Sequence, residues 1–294
     1  MILSKKMSNL STKILFWYKY HKRDLPWRTK RYQKNPYSIW VSEIMLQQTT
    51  VNSVVNYFKK FLYKWPSIYK LSKSKIDEVL FIWQGLGYYN RAVNIHKCSR
   101  IIVKKYNGKF PSKLEVLKTL PGIGEYTAKA ICAIAYDKKD IGIDVNVNRV
   151  FSRLFNINPN NKKKIKTKIL KILPRRNCGN FMQAIMDIGA TICKKNVTYC
   201  SICPIKTNCI YQKKKNKKNF FDIKKRNKKK FIYFYFIKNG NNIFLKKRTK
   251  TKFLNGLMEM PSSQYLNHQF SFYQAKKFAP VDLNWEKVPG GFNY

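Results

Sequence analysis

Four cysteines, Cys193, Cys200, Cys203 and Cys209, crowd into seventeen residues with the spacing C-x6-C-x2-C-x5-C. Four thiolates so placed can close a metal centre, and a loop pinned at four points leaves its flanking chain few ways to fold. Zinc accepts a four-thiolate set, but zinc ribbons present two close C-x2-C or C-x4-C pairs, and only one short pair occurs here. The spacing therefore favours a [4Fe–4S] cluster, with zinc as the rival. Pro204 follows the third cysteine directly, and Lys194 and Lys195 place two cations in the loop where a phosphate could be met. The other three of the seven cysteines, Cys98, Cys132 and Cys178, are scattered. An odd total with this clustering reads as metal ligation in a reducing compartment, not as a secreted disulfide framework.

Apolar residues recur at helical spacing over residues 8–20, 38–48, 50–63, 75–83, 90–106, 113–119, 125–136, 145–155, 162–172 and 179–192. The first two hundred residues therefore predict a mainly α fold. Residues 212–230, QKKKNKKNFFDIKKRNKKK, are too charged to pack and read as a basic linker. Beyond it, FIYFYFIKNGNNIFLKKR predicts two strands about an Asn-Gly turn, opening a small second domain over 231–294. Neither a signal peptide nor an apolar run of transmembrane length is present, so a soluble chain is expected. With 60 Lys and Arg against 14 Asp and Glu, the 294 residues carry a formal net charge of +46. Such a charge attracts nucleic acid, although the abundance of Lys, Asn and Ile is also what an AT-rich coding sequence produces.

Acidic groups are scarce, so their placement is informative. Over PYSIWVSEIMLQQTTVNSVVNYF, residues 36–58, Glu43 is the one carboxylate, and neither Ile39 nor Gln47 offers it a cation. Buried among Trp40, Val41, Ile44 and Met45 it would hold a proton near neutrality, as a general acid must; the alternative is an exposed helix residue. Asp144 precedes VNVNRVFSRLF and reads as a helix N-cap, which a helix dipole would keep ionised. A protonated and an ionised carboxyl side by side form the pair that cleaves glycosidic bonds. LEVLKTLPGIGEYTAKAICAIA, within 113–136, reads as a helical hairpin. Gly122 and Gly124 are free to adopt conformations barred to other residues, turning backbone N–H groups toward a phosphate. A plain structural corner has the same signature.

Seven segments in order resemble the MutY-type adenine DNA glycosylases: LPWR at 25–28, PYSIWVSEIMLQQT at 36–49, GLGYYNRA at 85–92, LPGIGEYTA at 120–128, DVNVNRV at 144–150, FMQAIMDIGATIC at 181–193, and the cysteine loop. The resemblance implies a helix-hairpin-helix glycosylase fold over residues 1–211, with a six-helix barrel module and a module bearing a [4Fe–4S] cluster. It implies action on double-stranded DNA, as a monomer in the bacterial cytoplasm at the nucleoid, flipping out adenine mispaired with 8-oxoguanine or guanine. Glu43 matches the acid that protonates the adenine, Asp144 the carboxylate facing the sugar cation, and Tyr126 a residue supporting both. Trp27, Arg28, Leu46 and Asp187 match positions lining or supporting the adenine pocket, Gln48 and Tyr88 residues that enter the base stack, and Asn146, which follows Asp144 at the family's place, a substrate- or DNA-binding position. Val145 departs from the glycine usual there. The related endonuclease-III-type lyases, which act on oxidised pyrimidines, keep a Schiff-base lysine where this chain has Tyr126; a lapsed DNA-binding relic is the other alternative. Residues 231–262 resemble the opening of a Nudix-like domain, and beyond Pro261 the match cannot be followed. Weak discrimination of 8-oxoguanine from guanine is therefore expected, and no pyrophosphatase activity, since its acidic box is missing.

Overall fold

The computed structural model describes residues 2–213, 229–248 and 257–287, with side chains from residue 10 onward. The chain divides into two compact units, Met1–Asp222 and Ile223–Tyr294. Most of the basic stretch 212–230 lies outside the described residues.

In the first unit the helices are α1 (Ile2–His21), α2 (Pro36–Leu46), α3 (Val51–Lys64), α4 (Ile68–Ser72), α5 (Ile76–Trp83), α6 (Asn90–Tyr106), α7 (Leu114–Lys118), α8 (Glu125–Tyr136), α9 (Val145–Phe155), α10 (Lys162–Ile172), α11 (Cys178–Asp187) and α12 (Ile210–Lys213). Their starts follow local chemistry. Asn35, Thr50, Ser67, Asp144 and Asn161 each turn a side-chain oxygen onto first-turn N–H groups. Pro36 at the first position of α2 costs no hydrogen bond, because that N–H would be unpaired. Asn107, Asp137 and Asn156 close α6, α8 and α9 in the left-handed conformation.

One layer gathers α2 to α6, with α2 against α3 and α6, and α6 against α4 and α5. A second gathers α1 and α9 to α12 around Ile14, Phe151, Ile165, Phe181 and Ile185. Helix α8 joins them, packing on α2 from one side and α11 from the other. This explains why α2 is buried all round, with nine of its eleven residues inside. Removing large apolar side chains such as Trp40, Trp83 and Phe58 from water contributes about 1.5–3 kcal/mol each. Among the described residues no helix is long and apolar enough to cross a membrane.

Three features depart from the periodicity. Helix α4 is a single short turn capped by Ser67, below the length at which apolar spacing shows. Helix α1 starts at Ile2, earlier than expected. The expected helix 179–192 is α-helical only to Asp187 and continues as a π turn over Ile188–Ile192.

The second unit holds two separate antiparallel ladders, β1 (Lys238–Asn239) with β2 (Asn242–Ile243) and β3 (Lys246–Lys247) with β4 (Met258–Glu259), and a short helix α13 (Phe272–Lys276). Gly240, at φ +58°, makes the turn between β1 and β2, so the predicted hairpin forms with strands far shorter than expected. Tyr235, Phe270 and Ala275 are buried together with Ser263, and the Tyr235 hydroxyl donates to the Ala275 carbonyl at 2.6 Å. A continuous sheet of Nudix type is not found among the described residues. Residues 249–256, which include the segment FLNG at 253–256, lie outside them.

The α8–α11 crossing depends on a missing side chain. A Cβ on Gly179 would lie 2.7 Å from the Ala133 carbonyl oxygen and the Ile134 Cα, both backbone atoms that cannot rotate aside. Gly179→Ala adds helix propensity of about 1 kcal/mol but forces overpacking of about 1–3 kcal/mol. A lower denaturant midpoint in a urea titration is the expected net result.

Candidate active site

Glu43 stands on α2 with only 7 % of its surface exposed. Burial raises its pKa to about 7, opposed by a hydrogen bond donated by the Tyr126 hydroxyl and by the nearby Arg28 cation, and reinforced by Asp144. Tyr126, on the first turn of α8, is pushed well above the usual phenol range by burial and by the two carboxylates. Its ring rests on the backbone of Gly142, where an added Cβ would meet ring carbons at 2.8 and 2.9 Å. Three elements thus bring Glu43, Tyr126 and Asp144 into electrostatic contact.

Asp144 caps α9. Its Oδ1 accepts from the Val147 N–H at 2.6 Å and its Oδ2 from the Asn146 side-chain amide at 2.9 Å. The expectation that the helix dipole dominates its ionisation is corrected here: burial pushes its pKa up, and the Val147 and Asn146 hydrogen bonds only oppose that shift. Val145 occupies an exposed, ordinary helical position, so replacing the usual glycine leaves the cap intact.

Asn146 is itself held. Arg149 donates from Nη2 to Asn146 Oδ1 and to the Gly189 carbonyl, both at 2.7 Å, and from Nε to the Cys193 carbonyl at 2.8 Å. Gly189 lies on the π turn, where a Cβ would approach the Asn146 Cβ to 2.7 Å. Arg153, one turn further along α9, donates to the carbonyls of Lys194 and Lys195 at 2.6 and 2.8 Å and lies 3.4 Å from the Cys193 sulfur. A chain of hydrogen bonds thus runs from the Asp144 carboxylate to the cysteine loop. Sequence reasoning missed both arginines, which in a chain with 60 basic residues carry no mark of burial.

The fully buried Asp187 receives the Arg28 guanidinium in a bidentate pair, at 2.6 and 3.0 Å, together with Arg23 Nε at 2.6 Å. Arg28 sits in the short turn Pro26–Arg28 and faces Glu43. Trp27, beside it, is buried edge-on against Phe58, and Leu46 ends α2 half-buried. Gln48 and Tyr88 are exposed and stand at φ +57° and +50°, conformations uncommon for residues with side chains.

In the hairpin between α7 and α8, only Gly122, at φ +77°, uses the freedom expected of both glycines. Gly124 is extended and serves as the N-cap of α8, without offering a side-chain acceptor to its first turn. Both glycines are exposed, as are Lys194 and Lys195.

Cys193, Cys200, Cys203 and Cys209, all half-buried, line one cavity of about 30 Å³ with Val150, Arg153, Ile188 and Tyr211. Among the described residues no three metal-binding side chains converge on a single ion's position.

Residues 41–175 match the family model described as HhH-GPD superfamily base excision DNA repair protein. The chain is 42% identical over 272 residues to an adenine DNA glycosylase of Buchnera aphidicola subsp. Acyrthosiphon pisum (strain APS), covering 90% of this chain and 77% of that one. It is 37% identical to the adenine DNA glycosylase of Homo sapiens over 207 residues, 67% of this chain and 38% of the human protein. Among solved structures, a thermostable thymine-DNA glycosylase superposes with a TM-score of 0.65 at 28% identity, over 72% of this chain and 99% of that one. An endonuclease III–DNA complex superposes at 0.60 with 22% identity, over 72% and 98% respectively, which speaks for the fold alone. A buried acid, a capped carboxylate and a helical hairpin stand on a chain that is 42% identical to the Buchnera enzyme over 77% of its length, and the chain belongs to the adenine DNA glycosylase family.

Proposed function

We propose that the protein hydrolyses the N-glycosidic bond of adenine mispaired with 8-oxoguanine or guanine in double-stranded DNA, acting as a monomer on the bacterial nucleoid. The observation that carries this reading is the buried Glu43, poised near neutrality beside Tyr126 and Asp144. Half-protonated at pH 7, it gives its proton to a ring nitrogen of the flipped adenine, which makes the base a competent leaving group. Positive charge then develops on the sugar. Asp144 is the anion within reach, and the cation lowers the cost of its ionised form. Glu43, now a carboxylate, takes a proton from water as the oxygen adds to the sugar. Tyr126 orients Glu43 through its hydroxyl and, as a phenol, cannot form the Schiff base a lyase needs, so cleavage stops at the abasic site.

Grip on DNA falls to the Gly122–Gly124 turn, where the uncapped start of α8 suits a phosphate, and to Lys194 and Lys195. Trp27, Arg28, Leu46 and Asp187 shape the adenine pocket, Trp27 and Asp187 from behind its wall.

The four loop cysteines suit a [4Fe–4S] cluster. Gathered around one cavity, they offer the four thiolates that such a cluster needs. When bound, the cluster supplies a rigid cross-link, and Arg153 and Arg149 carry that rigidity to the Asp144 cap.

Glu43→Gln cannot donate a proton and is expected to slow single-turnover adenine release by about 10²–10⁴-fold. The same change should stabilise the fold. Because the folded pKa of Glu43 lies above its ordinary value of 4.5, burial is free of penalty below that pH, and the penalty grows to about 3 kcal/mol as pH rises through 7. At pH 8 the Gln variant should therefore melt above the wild type, an outcome that calorimetry checks. In the wild type, release should fall about tenfold per unit above pH 7 as the proton is lost; a flat alkaline profile would count against Glu43 as the acid. Purified protein is expected to be yellow-brown, with about four irons per chain by metal analysis. A colourless preparation with one zinc would overturn the cluster assignment.

A further inference from the structure

Arg91, on the first turn of α6, is only 7 % exposed, yet no carboxylate is among its hydrogen-bond acceptors. Its Nη1 donates to the carbonyls of Ile44, Met45 and Gln47 at 3.0, 2.7 and 2.6 Å. Its Nη2 donates to Thr49 Oγ1 and to the carbonyls of Leu86 and Gly87 at 3.0, 3.0 and 2.9 Å. The guanidinium also lies against the rings of Trp83 and Tyr88, at 5.4 and 5.5 Å. Without an anion, burial draws its pKa down to about 10, so it stays charged at neutral pH.

These acceptors bracket two exposed tips. Gln47 and Thr49 flank Gln48, and Leu86 and Gly87 precede Tyr88. Both tip residues hold the left-handed conformation, at φ +57° and +50°. Such conformations cost a residue with a side chain about 1–2 kcal/mol and persist only where the surroundings over-determine them. The surroundings here are one planar fork: Nη1 holds the Gln48 tip, and Nη2 holds both tips, through Thr49 on one side and through Leu86 and Gly87 on the other. The Tyr88 loop has further support from the Trp83 indole, which donates to the Gly87 carbonyl at 3.1 Å, and from Gly85, at φ +90° beneath the Tyr57 hydroxyl. The Gln48 tip is tied back to α8 by Gln47, whose amide donates to Thr127 at 3.2 Å. Among the described residues, Arg91 hydrogen-bonds to both.

We propose that Arg91 is a positioning residue that fixes the separation and attitude of two base-stack probes, Gln48 and Tyr88, so that its fork governs unstacking of the duplex and not bond breaking. This rests on the glycosylase reading of the site. A lysine cannot replace the fork, because its ammonium is a single point and cannot serve acceptors on both sides of a planar group.

The test uses the full chain and two duplexes. One carries the adenine in a single mispair with 2-aminopurine beside it, whose emission rises on unstacking. The other carries the adenine inside a run of mismatches, already unstacked. With saturating R91K, the 2-aminopurine rise and adenine release from the single mispair should each fall by at least about tenfold, as loss of a charged hydrogen bond implies, while release from the mismatched run stays within about twofold of wild type. Thr49→Val removes one acceptor at a half-exposed position and should show the same split in milder form, keeping the test valid if R91K folds poorly. Equal losses on both duplexes, or unstacking that matches the wild type, would overturn the proposal. A wild-type protein that unstacks the probe yet releases no adenine from either duplex counts against the glycosylase reading alone.

Discussion

The buried carboxylate of Asp187 is the interaction on which the rest of the site depends. It is sealed from water and satisfied by two guanidinium groups and a backbone N–H from Arg23 and Arg28. Removing one partner of such a group strands a charge at a cost of about 3–5 kcal/mol. Its side chain ties the segment after α1 to α11 and points Arg28 at Glu43. Its main chain starts the π turn, with its carbonyl accepting from the Thr191 hydroxyl at 2.8 Å. The turn brings Gly189 against Asn146, and Asn146 holds Asp144. One residue is therefore linked to both carboxyl environments, through Arg28 to Glu43 and through Gly189 and Asn146 to Asp144.

Much of the first unit was legible because burial and capping leave marks in the sequence. The apolar spacing of Val54, Phe58, Phe61 and Leu62 declares the inner face of α3, and Thr50 before it declares the start. Glu43 was legible for the opposite reason: a carboxylate alone in an apolar helix has few explanations. The buried arginines were not legible. Arg91, Arg149 and Arg153 satisfy their charge with carbonyl oxygens supplied by distant segments, and no local pattern announces a carbonyl. The π turn was hidden likewise, since Ile188 and Ile192 keep apolar spacing while the hydrogen-bond ladder slips. In the second unit the Asn-Gly signal located a turn but overstated the strands, because residues such as Ile243 and Phe244 stay exposed and have no partner face to extend them.

The two carboxyl groups also show how one fold gives two groups of the same chemistry different duties. Glu43 is buried and Asp144 half-buried, and both are shifted upward. Asp144 has first-turn amides and Asn146 to favour its anion, whereas Glu43 has chiefly a phenol and a more distant guanidinium. The difference lies in the density of donors, and donor density is set by position: a helix start supplies unpaired N–H groups, and a helix interior supplies none.

The burial of Glu43 has a further consequence for the proton inventory of a turnover. In the proposed mechanism the proton that Glu43 gives to the departing base is replaced by the one it draws from the attacking water, so the side chain ends the cycle as it began. No net proton is therefore drawn from solvent over a turnover. Solvent pH then sets the fraction of molecules that begin a turnover protonated, and the attacking water resets the acid each time.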